Sequence, residues 1–240
     1  MIALEFFGFF GFILVFGYLL PCGRLYRRYY LHPTPEQEQL RIQKHRRPTS
    51  EQIRREVRLS LVTILIFAVL STGLFELYMA GKTSLYRPLN AYPLWYAPLS
   101  FILCLFLQDT YFYWTHRFMH WRPVFKYFHL AHHRSIAPTP WAIFAFDPLE
   151  AVVQFVGLAL LVLYLPMNPL VLILFMSYDT AVNVAGHTGF ELMPKVSTQR
   201  WPFKLFNTVT HHDAHHTNTR VNYGAFFTFW DRVMGTYQGD

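Results

Sequence analysis

The chain has 240 residues, 53% of them hydrophobic and 19% aromatic, and a formal charge of +7. Apolar content this high, gathered in long runs, argues against an ordinary soluble domain and for a membrane protein. The basic residues sit beside the apolar runs, where anionic lipid headgroups and the positive-inside rule place them, so the charge does not call for a nucleic-acid partner.

The first run, about Ile2–Leu20, carries Glu5 and leads into Pro21, Arg24, Arg27 and Arg28. It has neither a basic leader nor a small-residue cleavage site, so it reads as a retained membrane helix. From Pro33 to about Arg58 the chain is dense in Glu, Gln, Lys and Arg. That stretch reads as a connector with an amphipathic helix, capped by Thr49 or Ser50 ahead of EQIRREVR. Further apolar segments follow at about Leu59–Met79 and Leu94–Leu107. Leu149–Leu165 and Leu170–Ala185 form a pair around the breaker PMNP. Cys22 and Cys104 lie in or beside these runs without a CxxC partner, which disfavours a disulfide framework or a thiolate metal site.

The expected fold is therefore all-α: an integral membrane helical bundle with four to five membrane segments and a cytosolic histidine-rich di-metal cap. Residues 1–58 would supply the N-terminal helix and connector, and residues 59–240 the catalytic domain. Arg41, Lys44, Arg46, Arg47, Arg54, Arg55 and Arg58 place the connector on the cytoplasmic side. Alternating the spans from there brings every histidine cluster to the same face.

Ten of the twelve histidines fall at HRFMH (His116, His120), HLAHH (His129, His132, His133), a lone His187, and HHDAHH (His211, His212, His215, His216). Residues four apart on a helix share a face one turn apart, so His116 and His120 can address one ion, and HxxHH shares a face if helical. His32 and His45 stand apart and read as structural. Imidazole suits iron, copper, nickel and zinc, whereas carboxylate-poor clusters disfavour magnesium and calcium. Eight or more converging histidines exceed the four ligands of one tetrahedral zinc, so two ions are expected.

As a helix, Leu94 to His120 would be about 40 Å long, longer than a hydrocarbon core of about 30 Å, so its histidine end would project from the bilayer. Asp109, Tyr113, His116 and His120 form one stripe, and the spacing recurs in Asp179, Asn183 and His187. A carboxylate at membrane depth reads as functional. Asp109 is expected to accept a ligand imidazole N–H or to bind metal itself. Trp141, Phe144, Phe146 and Tyr178, with Asn183, are candidate substrate-lining residues, the aromatics serving alternatively as interfacial anchors.

From about Ile53 onward, the stretches QDTYFYWTHRFMH, KYFHLAHHRS, PTPWAIFAFDPLEA, GHTGFE and HHDAHHTNTRVNYGAFFTFWDRVMGT resemble the fatty acid hydroxylase superfamily, and within it the sterol desaturase group. The resemblance implies a helical membrane protein whose cytosolic histidines bind two iron ions (zinc being possible in purified samples). It also implies O2 as co-substrate and hydroxylation or desaturation of a lipid C–H bond. His116, His120, His129, His132, His133, His212, His215 and His216 match the family's eight-histidine signature. His187 and His211 stand where relatives often carry further histidines, and Asp147 stands where some sterol desaturases have one. No haem-attachment or dinucleotide fingerprint is present, so an external donor, a ferredoxin or a cytochrome with its reductase, is implied. Two other classes remain at this stage. A metal transporter would hold its ligands inside the spans, and a zinc hydrolase would carry the absent HExxH.

Overall fold

Residues 1–88, 90–194 and 200–239 are described by the computed structural model of this protein, and they form helices and loops with no strand among them. Ile2–Leu31 is a single helical run (α1) with π-helical turns at Ile13–Leu19 and Arg27–Leu31. It is followed by α2 (Pro35–Gln39), α3 (Ser50–Met79) and α4 (Tyr96–Met119). The short α5 (Arg122–Phe128) and α6 (Leu130–His133) lead to α7 (Pro148–Tyr164) and α8 (Pro169–Gly186). The chain ends with α9 (Val209–Thr217) and α10 (Phe229–Val233).

Thr49 starts α3, its hydroxyl accepting from Gln52 N at 3.1 Å, an N-cap that leaves no break between the charged connector and the apolar run. The expected amphipathic helix and second span are thus one 30-residue helix, which runs through the boundary expected at 58/59. Proline in the first turn opens both α7 and α8, where its missing N–H has no partner to lose. Helices α1, α3 and α8 are long and apolar enough to cross a membrane, and α7 is a shorter apolar helix. Helix α4 is not in that class, since Gln108, Asp109 and the histidine end interrupt its apolar run.

Contacts at the two ends of the bundle fix the alternation of the helices. At one end Tyr30 at the end of α1 donates to Thr188 O, and Gln52 at the start of α3 donates to Ala137 O. Asp147, just before α7, accepts from Ala131 N. The C-terminal ends of α4 and α8 bring their histidines to the same place. The connector is there too, through Gln43 Nε2, which donates to Ile136 O and to Asp213 Oδ1. At the other end Ser84 N donates to Val162 O, Tyr86 N to Met167 O, and the Tyr96 hydroxyl to Pro166 O.

The spans are apolar outside and mixed inside. Phe7, Phe16, Val69, Ile173 and Leu174 are exposed on the outer surface, while Tyr18, Ile64, Cys104 and Phe175 are buried. Glu56, Glu150 and Asp231 are fully buried at or near the histidine end. A bilayer demands this distribution, because polar groups can be satisfied only within the protein.

Helices α4 and α7 pack tightly at Gly157. A Cβ there would lie 2.7 Å from Tyr111 Cδ1 and 2.8 Å from Gln108 Oε1. Gly157→Val is expected to lower stability by about 1–3 kcal/mol through overpacking, read as a lower thermal midpoint in nanodiscs. Gly73→Ala is the control. Its Cβ meets nothing within 4 Å, so it should be neutral or stabilising by about 0.5–1 kcal/mol.

Candidate metal centre

Helical geometry decides which rings can meet. His116 and His120, four residues apart at the end of α4, turn to the same side. At 3.6 residues per turn, residue i+3 points about 100° away from residue i+4. Each HxxHH motif is therefore divided. His129 and His133 join His116, His120 and His215 in one group, whereas His132 crosses to the other. On α9 the division is reversed: His212 and His216 join His132 and His187, and His215 leaves for the first group. Two short histidine-bearing turns, each sending rings both ways, thus build two adjacent centres of five and four rings.

Within each group the contacts run Nε2 to Nε2. In the first they are 2.9 Å (His116–His129), 3.3 Å (His116–His120), 3.1 Å (His120–His215) and 3.1 Å (His133–His215). In the second they are 3.4 Å (His132–His187), 3.0 Å (His187–His212) and 3.1 Å (His212–His216). Nitrogens held at about 2.0–2.1 Å from one ion lie roughly 2.9–3.4 Å apart, for angles between a right angle and tetrahedral.

The other ring nitrogen fixes the proton. His116 Nδ1 donates to Tyr223 O (2.8 Å), His215 Nδ1 to Val221 O (2.6 Å) and His187 Nδ1 to Asn183 O (2.8 Å). Carbonyls only accept, so in neutral rings these Nε2 atoms carry lone pairs. His129 Nδ1 faces Glu150 Oε1 at 2.7 Å, both groups buried. Burial, reinforced by neighbouring rings, holds His129, His132, His212 and His216 well below the ordinary imidazole range. Burial also pushes His187 and His215 down to about 4. The rings are then neutral at physiological pH, and His116, His187 and His215 turn an Nε2 lone pair into their group. The donor set therefore fits two borderline divalent ions, one per group.

Two expected residues do other work. His211 belongs to neither group. It is the third residue of α9, and its Nδ1 accepts from Thr208 N at 3.1 Å in a reciprocal capping box, while its Nε2 lies 3.3 Å from the Tyr237 hydroxyl. An Nδ1 engaged as an acceptor puts the proton on Nε2, the reverse of the converging rings. Asp109 touches no imidazole. Its Oδ1 accepts from Ala225 N, Phe226 N and Phe227 N, at 3.1, 2.7 and 3.2 Å.

That loop explains NYG and WDR. Asp231 accepts from Tyr223 N and Gly224 N, both at 2.8 Å, so two carboxylates grip the backbone on either side of Gly224. Asn222 takes a positive φ of 53°, which asparagine tolerates. A Cβ at Gly224 would collide with Phe227 O. The gripped loop presents the Tyr223 carbonyl to His116, which links Asp109 to the first group through the backbone.

An apolar cavity of about 360 Å³ abuts the second group and is lined by His187, His212, Tyr178 and Asn183. Phe144 and Phe146 line a second cavity of about 380 Å³, on which Asn183 also borders. Trp141 lines neither. It packs against Tyr18 and Tyr26, and its carbonyl accepts from the Tyr18 and Ser60 hydroxyls. Two residues that sequence reasoning missed are Glu150 and Phe112, the latter on both cavities with its ring 4.9 Å from that of His116. Glu150 carried a signal, a carboxylate in the first turn of an apolar helix, while Phe112 carried none.

Residues 101–236 match the fatty acid hydroxylase family. The chain is 32% identical to a Δ7-sterol 5(6)-desaturase of Aspergillus fumigatus over 82% of its own length and 67% of that protein. It is 32% identical to a Δ7-sterol 5(6)-desaturase of Gibberella zeae, over 82% and 60%, and 31% identical to human lathosterol oxidase, over 82% and 65%. The chain thus spans about two thirds or less of the length of these relatives. No solved structure matches it.

His216→Ala is expected to lower bound metal from two ions to about one per chain, measured by elemental analysis of the purified protein. His211→Ala should keep both ions and cost about 0.5–2 kcal/mol of stability, as loss of a helix cap does. Equal metal loss in the two variants would contradict this division of roles. Asp109→Ala should weaken metal binding in the first group about tenfold or more, with the second group less affected, as competition with a graded chelator would report.

Proposed function

Because the chain belongs to the fatty acid hydroxylase family, we propose that it is a membrane-bound non-haem di-iron oxygenase that hydroxylates or desaturates a C–H bond of a fatty acyl or sterol-like lipid. Dioxygen is the co-substrate, and electrons come from an external ferredoxin or cytochrome with its reductase. The observation that carries this reading is the convergence of nine Nε2 atoms into two groups beside an apolar cavity. Bound iron would supply the oxidising power that breaking an unactivated C–H bond requires and that no side chain provides.

The ligands proposed for the first ion are His116, His120, His129, His133 and His215, and for the second His132, His187, His212 and His216. The chain's own contribution is orientation and exclusion of water. The carbonyls of Tyr223, Val221 and Asn183 lock three rings with Nε2 inward. Glu150 Oε1 lies 2.7 Å from Nδ1 of a fourth, His129, and a carboxylate hydrogen-bonded there would raise the basicity of the metal-facing nitrogen. Phe112, Tyr178, Val182 and Phe226 give the cavity an apolar wall that receives an alkyl segment and keeps bulk water from it. The apolar exterior of α1, α3 and α8 supports entry of the substrate from the bilayer.

The basic connector lies at the histidine end, and the positive-inside rule then puts the site on the cytoplasmic face. The alternatives fare worse. A transporter's ligands would line the middle of the bundle, and these gather at one end. The hydrolase would need a carboxylate facing open coordination, whereas Glu150 faces Nδ1 of His129.

Lipid mass spectrometry of cells with and without expression tests the reading. It should show a lipid that gains one oxygen atom or loses two hydrogens, and both His132→Ala and His215→Ala should abolish that change while still inserting in the membrane. An unchanged lipid profile with iron bound and reductant supplied would contradict the proposal.

A further inference from the structure

Aromatic side chains beside the first histidine group form a line that ends at the surface. The Tyr223 ring faces three rings of that group, with centroids 5.2 Å from His120, 5.5 Å from His215 and 5.7 Å from His116. Tyr113 stands edge-on to Tyr223 at 6.1 Å and stacks on Trp230, also at 6.1 Å. Trp114 lies 5.4 Å from Tyr113 and 5.7 Å from Trp230, and it is 44% exposed. Tyrosine and tryptophan are among the side chains most readily oxidised by one electron, and steps this short let a charge pass from ring to ring.

Phenylalanine at position 113 would pack as well, so the hydroxyl is what calls for a role. Tyr113 is fully buried. Its oxygen accepts from Arg117 Nη1 at 3.1 Å and lies 3.0 Å from Thr236 Oγ1. Thr236 has one hydroxyl proton, and it is donated to Asp231 Oδ1 at 2.7 Å. The Tyr113 proton therefore points at Thr236, and the three groups make a directed path from phenol to carboxylate. Burial raises the proton affinity of the Asp231 carboxylate above its ordinary value. The Tyr223 hydroxyl instead donates to Thr219 O at 3.0 Å, a carbonyl that is no base. Of two neighbouring phenols, only Tyr113 can give up its proton to a base as it gives up an electron.

Resting on the oxygenase reading above for its oxidant, we propose that Tyr113 is a redox-active side chain that discharges the iron centre when dioxygen oxidises it with no substrate in place. One electron leaves Tyr113 through the Tyr223 ring and reduces the centre by one equivalent. The Tyr113 phenol proton moves to Thr236 Oγ1 and the Thr236 hydroxyl proton moves to Asp231 Oδ1, leaving a neutral tyrosyl radical and a protonated carboxyl. An electron from Trp114 then restores Tyr113 as the two protons return, and a one-electron reductant of the thiol or ascorbate class restores Trp114 at the surface. The gain is protection. A centre able to oxidise an unactivated C–H bond can also oxidise the imidazoles around it, and a site that makes such an oxidant has to exclude the competing reaction.

Two measurements on the full-length protein in lipid-free detergent test this. In the first, the iron-loaded, reduced protein is mixed with dioxygen without substrate, freeze-quenched and read by electron paramagnetic resonance, with dioxygen uptake followed in parallel. A tyrosyl signal, identified by its narrowing with ring-deuterated tyrosine, should be lost in Tyr113→Phe. It should also be lost in Thr236→Val and return in Thr236→Ser, with both metals retained in each variant. Trp114→Phe should lengthen the life of the radical in the presence of ascorbate. Mass spectrometry should find more oxidised histidine at 116–133 and 211–216 in Tyr113→Phe than in the parent. In the second measurement, a ruthenium tris(bipyridine) photo-oxidant takes an electron from the metal-free protein, and the same Tyr113-dependent and Thr236-dependent signal should appear. Dioxygen uptake without a Tyr113 radical, or a radical indifferent to both Tyr113→Phe and Thr236→Val, would overturn the proposal. Photo-oxidation that reaches Tyr113 while the iron-loaded protein consumes no dioxygen would place the fault in the oxygenase reading and not in the path.

Discussion

Nine imidazole nitrogens turned toward one another, at separations of 2.9–3.4 Å within two groups, form the constraint around which this fold is organised. Burial disfavours protonating the rings, and at His116, His187 and His215 a carbonyl acceptor on Nδ1 removes the option of turning the N–H inward. What is left at those three rings is an inward lone pair, the form that binds a cation. Such an arrangement has to be enforced from outside, and the surrounding structure does so. The loop gripped by Asp109 and Asp231 delivers one carbonyl, the last turn of α8 delivers another, and Glu150 reaches across from α7 to His129. Bound metal is expected to stabilise this end, since binding to a preformed donor set adds to folding free energy.

The helical architecture and the histidine end were legible because both rest on periodicity. Long apolar runs predict spans, HxxxH predicts two rings on one face, and charge beside the runs predicts which ends lie together. The division of each HxxHH motif between two centres was not legible, because it depends on how α6 and α9 are oriented toward each other. His211 shows the limit from the other side. Beside three histidines that converge it looks like a fourth, yet it falls at the third position of a helix opened by Thr208, where a side chain reaches back to cap the first turn. Helical spacing puts Asp109 on the stripe of His116, and its carboxylate takes the backbone N–H groups of residues 225–227. Such long-range partners, 116 to 118 residues away in sequence, carry no local signature.

The membrane explains why the two faces of the same helices are so different. Outward, α1, α3 and α8 present large apolar side chains to a solvent that is itself apolar. Inward, the bundle becomes more polar toward the histidine end, where backbone N–H groups meet the carboxylates of Asp109 and Asp231.

X-ray absorption at the iron edge of the purified, iron-loaded protein tests the central claim most directly, in parallel with metal stoichiometry on the same sample. The account predicts two irons per chain, each in an imidazole-rich environment with several nitrogens at about 2.0–2.2 Å and the outer-ring scattering of rigidly held histidines. A single iron, a shell dominated by carboxylate or thiolate, or a well-folded protein that takes up no metal would contradict it.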